Sequence, residues 1–247
     1  MARKHREVMR ILIADVVSGA RPAGDMLPRE VDLAAEFEVS RGVARETIRA
    51  MEERGLISVK HGKGATVSEP DAWDVFDPDV LAATLDSERG SEVLAEYLEC
   101  RRILEIEAAG MAAERATKRD VDALATAFRR MEEAAARPPS QAAEQRFHEA
   151  DIAFHHTLNA ATGNRALGGL VERIHSALLL ARFPLARPQY RQERALPEHQ
   201  RILDAVTAKD PAEARQAMSD HLDTIAGYLE EHRGRGRTRR RRPAAKS

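Results

Sequence analysis

Residues 27–67 constrain the fold most strongly, because they have the pattern of two short helices followed by a β-hairpin with a glycine-rich tip. Three arginines recur every four residues and therefore lie along one side of the second helix: Arg41, Arg45 and Arg49. An apolar set on another side is expected to face a small core: Ala44, Ile48 and Met51. Ser40 is the expected N-cap and Gly55 the expected end of this helix. The pattern is typical of a helix that reads the DNA major groove, although a solvated basic face is the alternative interpretation.

The β-hairpin that follows favours DNA binding over that alternative. Two short β-prone runs, residues 56–59 and 65–67, flank a tip that carries Lys60, His61 and Lys63 among glycines. Glycine permits positive φ and lets the backbone approach another surface closely, so the tip suits a minor groove or a row of phosphates. A basic tip directly after an arginine-faced helix predicts a winged helix-turn-helix.

This segment resembles the DNA-binding domain of the GntR family of bacterial transcription regulators. The matching pieces lie at the entry, the turn, the second helix and the wing: Leu27-Pro28, Val39-Ser40-Arg41, Arg45-Glu46, Gly55-Leu56 and His61-Gly62. The predicted DNA-binding residues, of which the resemblance implies the first four, are Arg41, Arg45, His61, Gly62, Arg49 and Lys63. One departure is Val31, which stands where the family often has an arginine contact and for which Arg29 or Arg49 is the candidate substitute.

Charge is distributed unevenly along the 247 residues, whose formal net charge is −1. Residues 1–68 contain 12 Lys and Arg against 10 Asp and Glu, and residues 233–247 contain 8 Lys and Arg and no acidic residue. The segment between them has 19 basic and 30 acidic residues, so it is not expected to bind nucleic acid. We therefore predict a DNA-binding domain (1–68), a linker (69–78), an effector-binding and dimerisation domain (79–232) and a basic, disordered tail (233–247).

The predicted second domain has helical periodicity throughout and no strand pattern. Breaks at Pro138, Gly163 and Pro184 help to divide it into roughly six or seven helices. The expected fold class is mainly α, with an N-terminal winged helix-turn-helix followed by an all-α antiparallel helical bundle. Trp73 and Phe76 are expected to pin the linker to a domain.

Composition also indicates the cellular compartment in which the protein is expected. The single cysteine, Cys100, excludes an intramolecular disulfide. No apolar run reaches membrane-spanning length, and the N-terminus lacks the apolar core of a signal peptide. We therefore expect a cytoplasmic protein without a membrane partner. Its arginine-rich tail either adds non-specific affinity for DNA phosphates or has no specific role.

Within the predicted bundle, one carboxylate and three imidazoles come from three helical segments. Asp151 and His155 are four residues apart and therefore share one helix face. His199 and His221 belong to two later helices. Such a set can bind one divalent ion inside a bundle, although a histidine taken alone is more often a surface or core residue.

The metal interpretation gains support from segments that resemble the ligand-binding domain of the FadR-type branch of the GntR family: residues 151–164, 197–206 and 218–222. In many members of that branch an aspartate and three histidines bind a metal, which implies the ligands Asp151, His155, His199 and His221. We expect zinc, nickel or manganese, because several ions accept imidazoles with one carboxylate. His148 is the rival ligand, His156 points away from His155, and His175 is interpreted as structural.

The resemblance further implies a small organic or sugar acid as the effector. Arg101 matches a position where the family often has an inward arginine, and Asn164 ends the first matching segment of the ligand-binding domain. We expect both residues at the effector site, where a guanidinium could grip the effector carboxylate. The alternative for Arg101 is an ion pair with Glu105 on its own helix.

These patterns favour a metabolite-responsive repressor, a homodimer whose two copies read double-stranded, two-fold symmetric operator DNA. A metal-dependent hydrolase is the second hypothesis, because His148-Glu149 begins like a His-Glu-x-x-His motif, but Ile152 stands in place of its second histidine. A DNA-binding architectural protein without an effector is the third. The prediction is that the chain is not an enzyme.

Overall fold

A computed structural model describes residues 2–60, 62, 64–180 and 194–240. Its helices and strands, in chain order, are α1 (Ala2–Val17), α2 (Glu30–Glu36), α3 (Arg41–Glu53), β1 (Ile57–Lys60), β2 (Gly64–Val67), α4 (Pro78–Asp86), α5 (Gly90–Arg115), α6 (Lys118–Ala135), α7 (Gln141–Ala161), α8 (Arg165–Leu180), α9 (Leu196–Thr207) and α10 (Pro211–Arg240). A short 3-10 turn, Pro70–Ala72, follows β2. The predicted fold class, mainly α with a small wing, is confirmed.

The chain divides into two compact units. The first takes in the chain up to Ala95 together with the end of α8 from Ser176. The second takes in Glu96–His175 together with α9 and α10. Among the described residues, no helix is both long and apolar enough to cross a membrane.

The first unit contains a winged helix-turn-helix built on one apolar core. Leu12 of α1 and Met51 of α3 are fully buried in that core. Ser40 caps α3, because its hydroxyl oxygen accepts a hydrogen bond from the Val43 N–H at 3.3 Å. Strands β1 and β2 pair antiparallel and form the wing. The predicted helix, cap and hairpin are therefore confirmed.

The end of α3 requires a glycine. Gly55 has a φ of +71°, a conformation that residues with a Cβ rarely adopt. A Cβ at this position would lie only 1.9 Å from the carbonyl oxygen of Ala72. The 3-10 turn therefore packs against the end of α3.

The segment predicted to be a linker, residues 69–78, packs on the first unit. Trp73 lies against the core of that unit, and its indole N–H donates to the carbonyl oxygen of Ser68 at 3.3 Å. Arg54, just after α3, forms an ion pair with Asp77 at 3.0 Å. The predicted anchoring role of Trp73 is confirmed.

The predicted start of the second domain at residue 79 needs correction. Helix α4 packs against α1, and Val80 belongs to the core of the first unit. The first unit extends to Ala95, within α5. The sequence did not reveal this, because the apolar face of α4 fits a bundle as well as it fits the first unit.

The second unit is built from helices whose starts follow local sequence rules. Thr117 and Asp120 form a capping box at the start of α6, and Ser140 caps α7. Helices α6 and α7 pack together, and the rings of Phe128 and Phe154 meet edge to face at 6.4 Å. Helix α9 packs on α10 and α6. This packing brings α7, α9 and α10, the helices that carry the predicted metal ligands, into one unit.

The predicted end of the last helix also needs correction. The sequence placed the end near His232 and expected disorder from residue 233, but α10 continues to Arg240. Arginine has a high helix propensity, so a run rich in arginine can extend an existing helix despite its charge. Residues 241–247 lie outside the described part of the chain.

Candidate DNA-binding surface and metal centre

The arginine face of α3 is exposed. Arg41, Arg45 and Arg49 are all exposed, whereas Ala44 and Met51 are buried on the other side of the helix. Arg49 forms an exposed ion pair with Glu53 through Nε at 3.1 Å. The sequence missed one inward residue: Thr47 is fully buried, and its hydroxyl donates to the carbonyl oxygen of Val43 at 2.9 Å. A threonine that bonds its own helix backbone can occupy a core position.

The wing is connected directly to α3. The Val59 N–H of β1 donates to the Glu52 carboxylate of α3 at 3.2 Å. Gly62 at the tip is exposed and has a φ of +76°. His61 and Lys63, the other predicted contacts at the tip, lie outside the described residues. Val31, where an arginine contact is often found in the family, is 50% exposed at the start of α2.

In the second unit, α7, α9 and α10 bring three histidines together. His155, His199 and His221 are 2%, 0% and 2% exposed. One ring nitrogen from each lies within 4.8 Å of the other two. The Nε2 atoms of His155 and His199 are 3.3 Å apart, and Asp151 Oδ1 lies 3.1 Å from His199 Nε2. The structure therefore brings the three predicted histidine ligands together, and the fourth predicted ligand, Asp151, contacts one of them, His199.

Each of the three imidazoles is held through its Nδ1 atom. His199 Nδ1 lies 2.7 Å from the carbonyl oxygen of Ala195. His221 Nδ1 lies 2.9 Å from Glu198 Oε2, and His155 Nδ1 lies 3.3 Å from Glu105 Oε2. A carbonyl or carboxylate oxygen accepts hydrogen bonds, so each Nδ1 donates a proton and each neutral ring keeps its lone pair on Nε2.

The Nε2 lone pairs are suited to binding a cation. Two of them face each other across 3.3 Å, and the Asp151 carboxylate points at the same His199 nitrogen. His221 Nε2 is buried and has no hydrogen-bond partner. A buried lone pair without a donor is unfavourable, whereas a metal ion satisfies all of these atoms at once. The side chains therefore fit a divalent metal ion.

The pKa directions agree with a metal-binding state. Burial lowers the pKa of His155 and of His221, so both rings favour the neutral form that binds metals. Burial opposes ionisation of Asp151, but the adjacent His199 ring outweighs burial and lowers the pKa of Asp151. The cluster thus combines two imidazoles that burial keeps neutral, His155 and His221, with an ionised carboxylate.

The sequence identified Glu105 only as a possible partner of Arg101 and missed its contact with the predicted ligand His155. Glu105 is 1% exposed, and its carboxylate contacts Arg101 Nε at 2.6 Å and His175 Nε2 at 2.9 Å, in addition to His155. Burial opposes its ionisation, but the Arg101 guanidinium and the two histidines hold the pKa of Glu105 well below its ordinary value. The alternative weighed for Arg101, an ion pair with Glu105, is what the structure contains. His175 contacts Glu105, which lies 70 residues away in the chain, and no local spacing in the sequence could indicate this contact.

Three other predicted or rival residues lie elsewhere. The Asn164 side chain is exposed, and its oxygen accepts the Leu167 N–H at 3.1 Å, so Asn164 caps α8 and does not join the histidines. The effector contact of Asn164 stays a prediction. His148 is half-buried and His156 is exposed, and neither belongs to the potential metal-binding group in the described residues.

Comparisons with known proteins identify both units. Residues 4–67 match the family model "Bacterial regulatory proteins, gntR family", and residues 96–224 match the model of the FCD domain. The regulator LutR of Bacillus subtilis is 32% identical over 226 residues, covering 88% of this chain and 99% of LutR. The galactonate operon transcriptional repressor of Escherichia coli is 31% identical over 220 residues, covering 87% and 92%.

A solved structure shares the fold at lower identity. Lar of Listeria monocytogenes, described as controlling expression of the agr system, is 18% identical with a TM-score of 0.61. The match covers 92% of this chain and 96% of Lar. These matches are to regulators, which confirms the prediction that the chain is not an enzyme. The chain belongs to the GntR family of bacterial transcription regulators, in the FadR-type branch that carries an FCD domain, and with that family it binds operator DNA.

Proposed function

We propose that this regulator is a homodimeric repressor whose affinity for its operator is controlled by a small carboxylic acid bound at a metal ion. The observation that carries the proposal is the convergence of ring nitrogens from three buried histidines, of which His221 Nε2 has no hydrogen-bond partner. The name of the E. coli relative, a transcriptional repressor, supports repression as the direction of control.

The metal-binding residues in this proposal are Asp151, His155, His199 and His221. When bound, a divalent ion supplies positive charge and open coordination positions for carboxylate oxygens. Zinc, nickel and manganese all accept this ligand set. The residues that hold each Nδ1 atom fix the rings so that the Nε2 atoms meet without rearrangement.

The proposed effector is a small organic or sugar acid. Two observations support this proposal. Such an ion can bind carboxylate oxygens, and the operon of the similar E. coli repressor is named for galactonate, a sugar acid. Arg101 was the predicted grip for the effector carboxylate. Because its guanidinium is bonded to Glu105, the effector proposal rests on the metal ion instead.

On the DNA side, the exposed arginine face of α3 suits the major groove, and the wing suits the neighbouring groove or phosphates. Two copies of the chain would place two such surfaces on a two-fold symmetric operator. The contacts proposed are those of Arg41, Arg45 and Arg49 on the helix, and of His61, Gly62 and Lys63 in the wing.

The test begins with genomic fragments that the purified protein retains. Each fragment is challenged with a panel of sugar acids and hydroxy acids, with zinc present and again after chelation by EDTA. We expect at least one acid to release DNA only when metal is present, and to fail with His199→Ala. If no acid changes the amount of DNA that the protein retains, either with zinc or after EDTA, the result would favour the architectural alternative and overturn the proposal.

A further inference from the structure

We propose that Glu105 is the positioning residue of the metal centre, and that Arg101 acts on the metal site through Glu105. This inference rests on the proposed function, because it concerns how the chain holds its metal ligands. It gives a role to two buried charged residues that DNA binding and metal ligation leave unexplained.

The carboxylate of Glu105 is held from several directions. Oε1 accepts from Arg101 Nε at 2.6 Å and from His175 Nε2 at 2.9 Å. Oε2 accepts from His155 Nδ1 at 3.3 Å and from Arg101 Nη2 at 3.4 Å. The donors come from α5, α7 and α8, so the carboxylate cannot rotate without breaking a bond to one of these helices.

This arrangement fixes the ring of the metal ligand His155. A carboxylate has only acceptor oxygens, so His155 must present its Nδ1 proton to Glu105 and its Nε2 lone pair to the cluster. The other two rings have different supports: Glu198, whose side chain is 17% exposed, holds His221, and the Ala195 carbonyl holds His199. Glu105 is the more buried of the two carboxylates. Replacing Glu105 should therefore disturb the metal site more than replacing Glu198 does.

The same contacts define the role of Arg101. Two of its guanidinium nitrogens bond the two oxygens of Glu105, in a fork that fixes the orientation of this buried carboxylate. Without the fork, the carboxylate would lose two of its four contacts and could turn away from His155, which would free the His155 ring to rotate.

The experiment compares zinc affinity by competition with a chromophoric chelator. In Glu105→Gln, the amide NH2 must face one of the former donors, so we expect zinc binding about 10–100-fold weaker, the range found when groups that orient metal-binding histidines are lost. Arg101→Met should weaken zinc binding in the same direction, and Arg101→Lys, which keeps the charge, should restore part of it. The matched control is Arg102→Met, since Arg102 lies next in sequence but pairs with Asp223 at the surface.

A second readout separates positioning from general structural damage. Imidazole ¹⁵N spectra of the metal-free protein should show the His155 proton on Nδ1 in the wild type and partly on Nε2 in Glu105→Gln. If Glu105→Gln does not fold, Arg101→Met/Glu105→Leu removes both buried charges together, an exchange that buried ion pairs often tolerate. This double variant should also bind zinc more weakly than the wild type, because His155 Nδ1 has lost its acceptor.

The outcomes are distinguishable. Wild-type zinc affinity in the double variant would show that Glu105 only neutralises Arg101, and would overturn the inference. Wild-type affinity and an unchanged His155 tautomer in Glu105→Gln would also overturn it while leaving the proposed function standing. A wild-type protein that binds no zinc, nickel or manganese would overturn both.

Discussion

The recognition surface of α3 and the histidine cluster are built in opposite ways. The arginines of α3 are exposed, and Arg49 forms an ion pair with Glu53 in solvent. The cluster is buried, and each of its rings is held by a specific acceptor. Hydrated surface charges cost the fold little, whereas buried polar atoms destabilise it unless they are satisfied. Mutations at α3 should therefore change DNA binding alone, while mutations in the cluster should change stability as well.

The largest expected effect is in the cluster, with His199→Ala. This change removes one ligand and the contact with Asp151. The metal affinity should therefore fall by more than about 100-fold, which exceeds the loss expected when a group that only orients a ligand is removed. The stabilisation by bound metal, about 2.7 kcal/mol at a metal concentration 100 times the Kd, should disappear with it. Metal analysis and thermal melting with added zinc measure both losses.

Two matched controls accompany His199→Ala. His148→Ala and His156→Ala remove imidazoles from the same helix as His155 but outside the cluster, so both should keep the metal. DNA binding without effector should survive in all three variants. A metal loss in His148→Ala as large as that in His199→Ala would place His148 in the ligand set and contradict the assignment.

At the recognition surface, Arg45→Ala should weaken operator binding without changing the melting temperature. A bidentate contact with a base contributes about 1–3 kcal/mol of discrimination, and the exposed side chain contributes little to the fold. Fluorescence anisotropy with operator and scrambled DNA gives the measurement, and Arg129→Ala on the surface of the second unit is the control. Equal losses on both DNAs would make Arg45 a phosphate contact and not a base-reading residue.

The two surfaces also differ in how far the sequence could predict them. The pattern of α3 is local: the arginine spacing, the Ser40 cap and the glycine that ends the helix all lie within residues 40–55. The ligands of the metal site were found through short segments that resemble a known family, and the i, i+4 pair Asp151 and His155 gave one local signal.

The sequence could not predict which residues hold the metal-binding histidines in place, because these contacts join residues far apart in the chain. Glu105 and His155 are 50 positions apart, and only the packing of α5 on its neighbours in the second unit makes them partners. The sequence placed α4 in the second domain for a similar reason, since an apolar face does not specify which core it joins. Asn164 caps α8, and its predicted effector contact stays a prediction.

A pH change separates the two regions without mutation. The pKa values of buried His155 and His221 are lowered in the fold, so below about pH 6.5 the unfolded chain binds more protons than the folded chain. The free energy of unfolding of the metal-free protein should therefore be fully present above about pH 6.5 and fall as the pH drops below it, by about 1 kcal/mol per histidine and pH unit.

Urea unfolding in EDTA at about pH 7.5 and about pH 5.5 measures this loss. His221→Gln should reduce the difference, because one of the two buried rings is gone. His156→Ala, at an exposed position, should leave the difference unchanged. Equal stability at both pH values in the wild type would contradict the burial of neutral imidazoles.

The smallest expected effect concerns the end of the chain. We propose that residues 233–247, with 8 Lys and Arg and no acid, add sequence-independent affinity for DNA. Deleting them should weaken binding to operator and scrambled DNA alike, and each lost phosphate contact should lower the log–log salt slope by about 0.9. An unchanged slope would show that the segment makes no phosphate contacts.

The central claim is that Asp151, His155, His199 and His221 hold a metal ion in a DNA-binding regulator. The most direct test is the metal content of the full-length protein, purified without chelators, together with its melting temperature in EDTA and in added zinc. We predict one divalent ion per chain, a lower melting temperature in EDTA and recovery when zinc is restored. A protein without stoichiometric metal, whose melting temperature is the same in EDTA and in zinc, would contradict the claim.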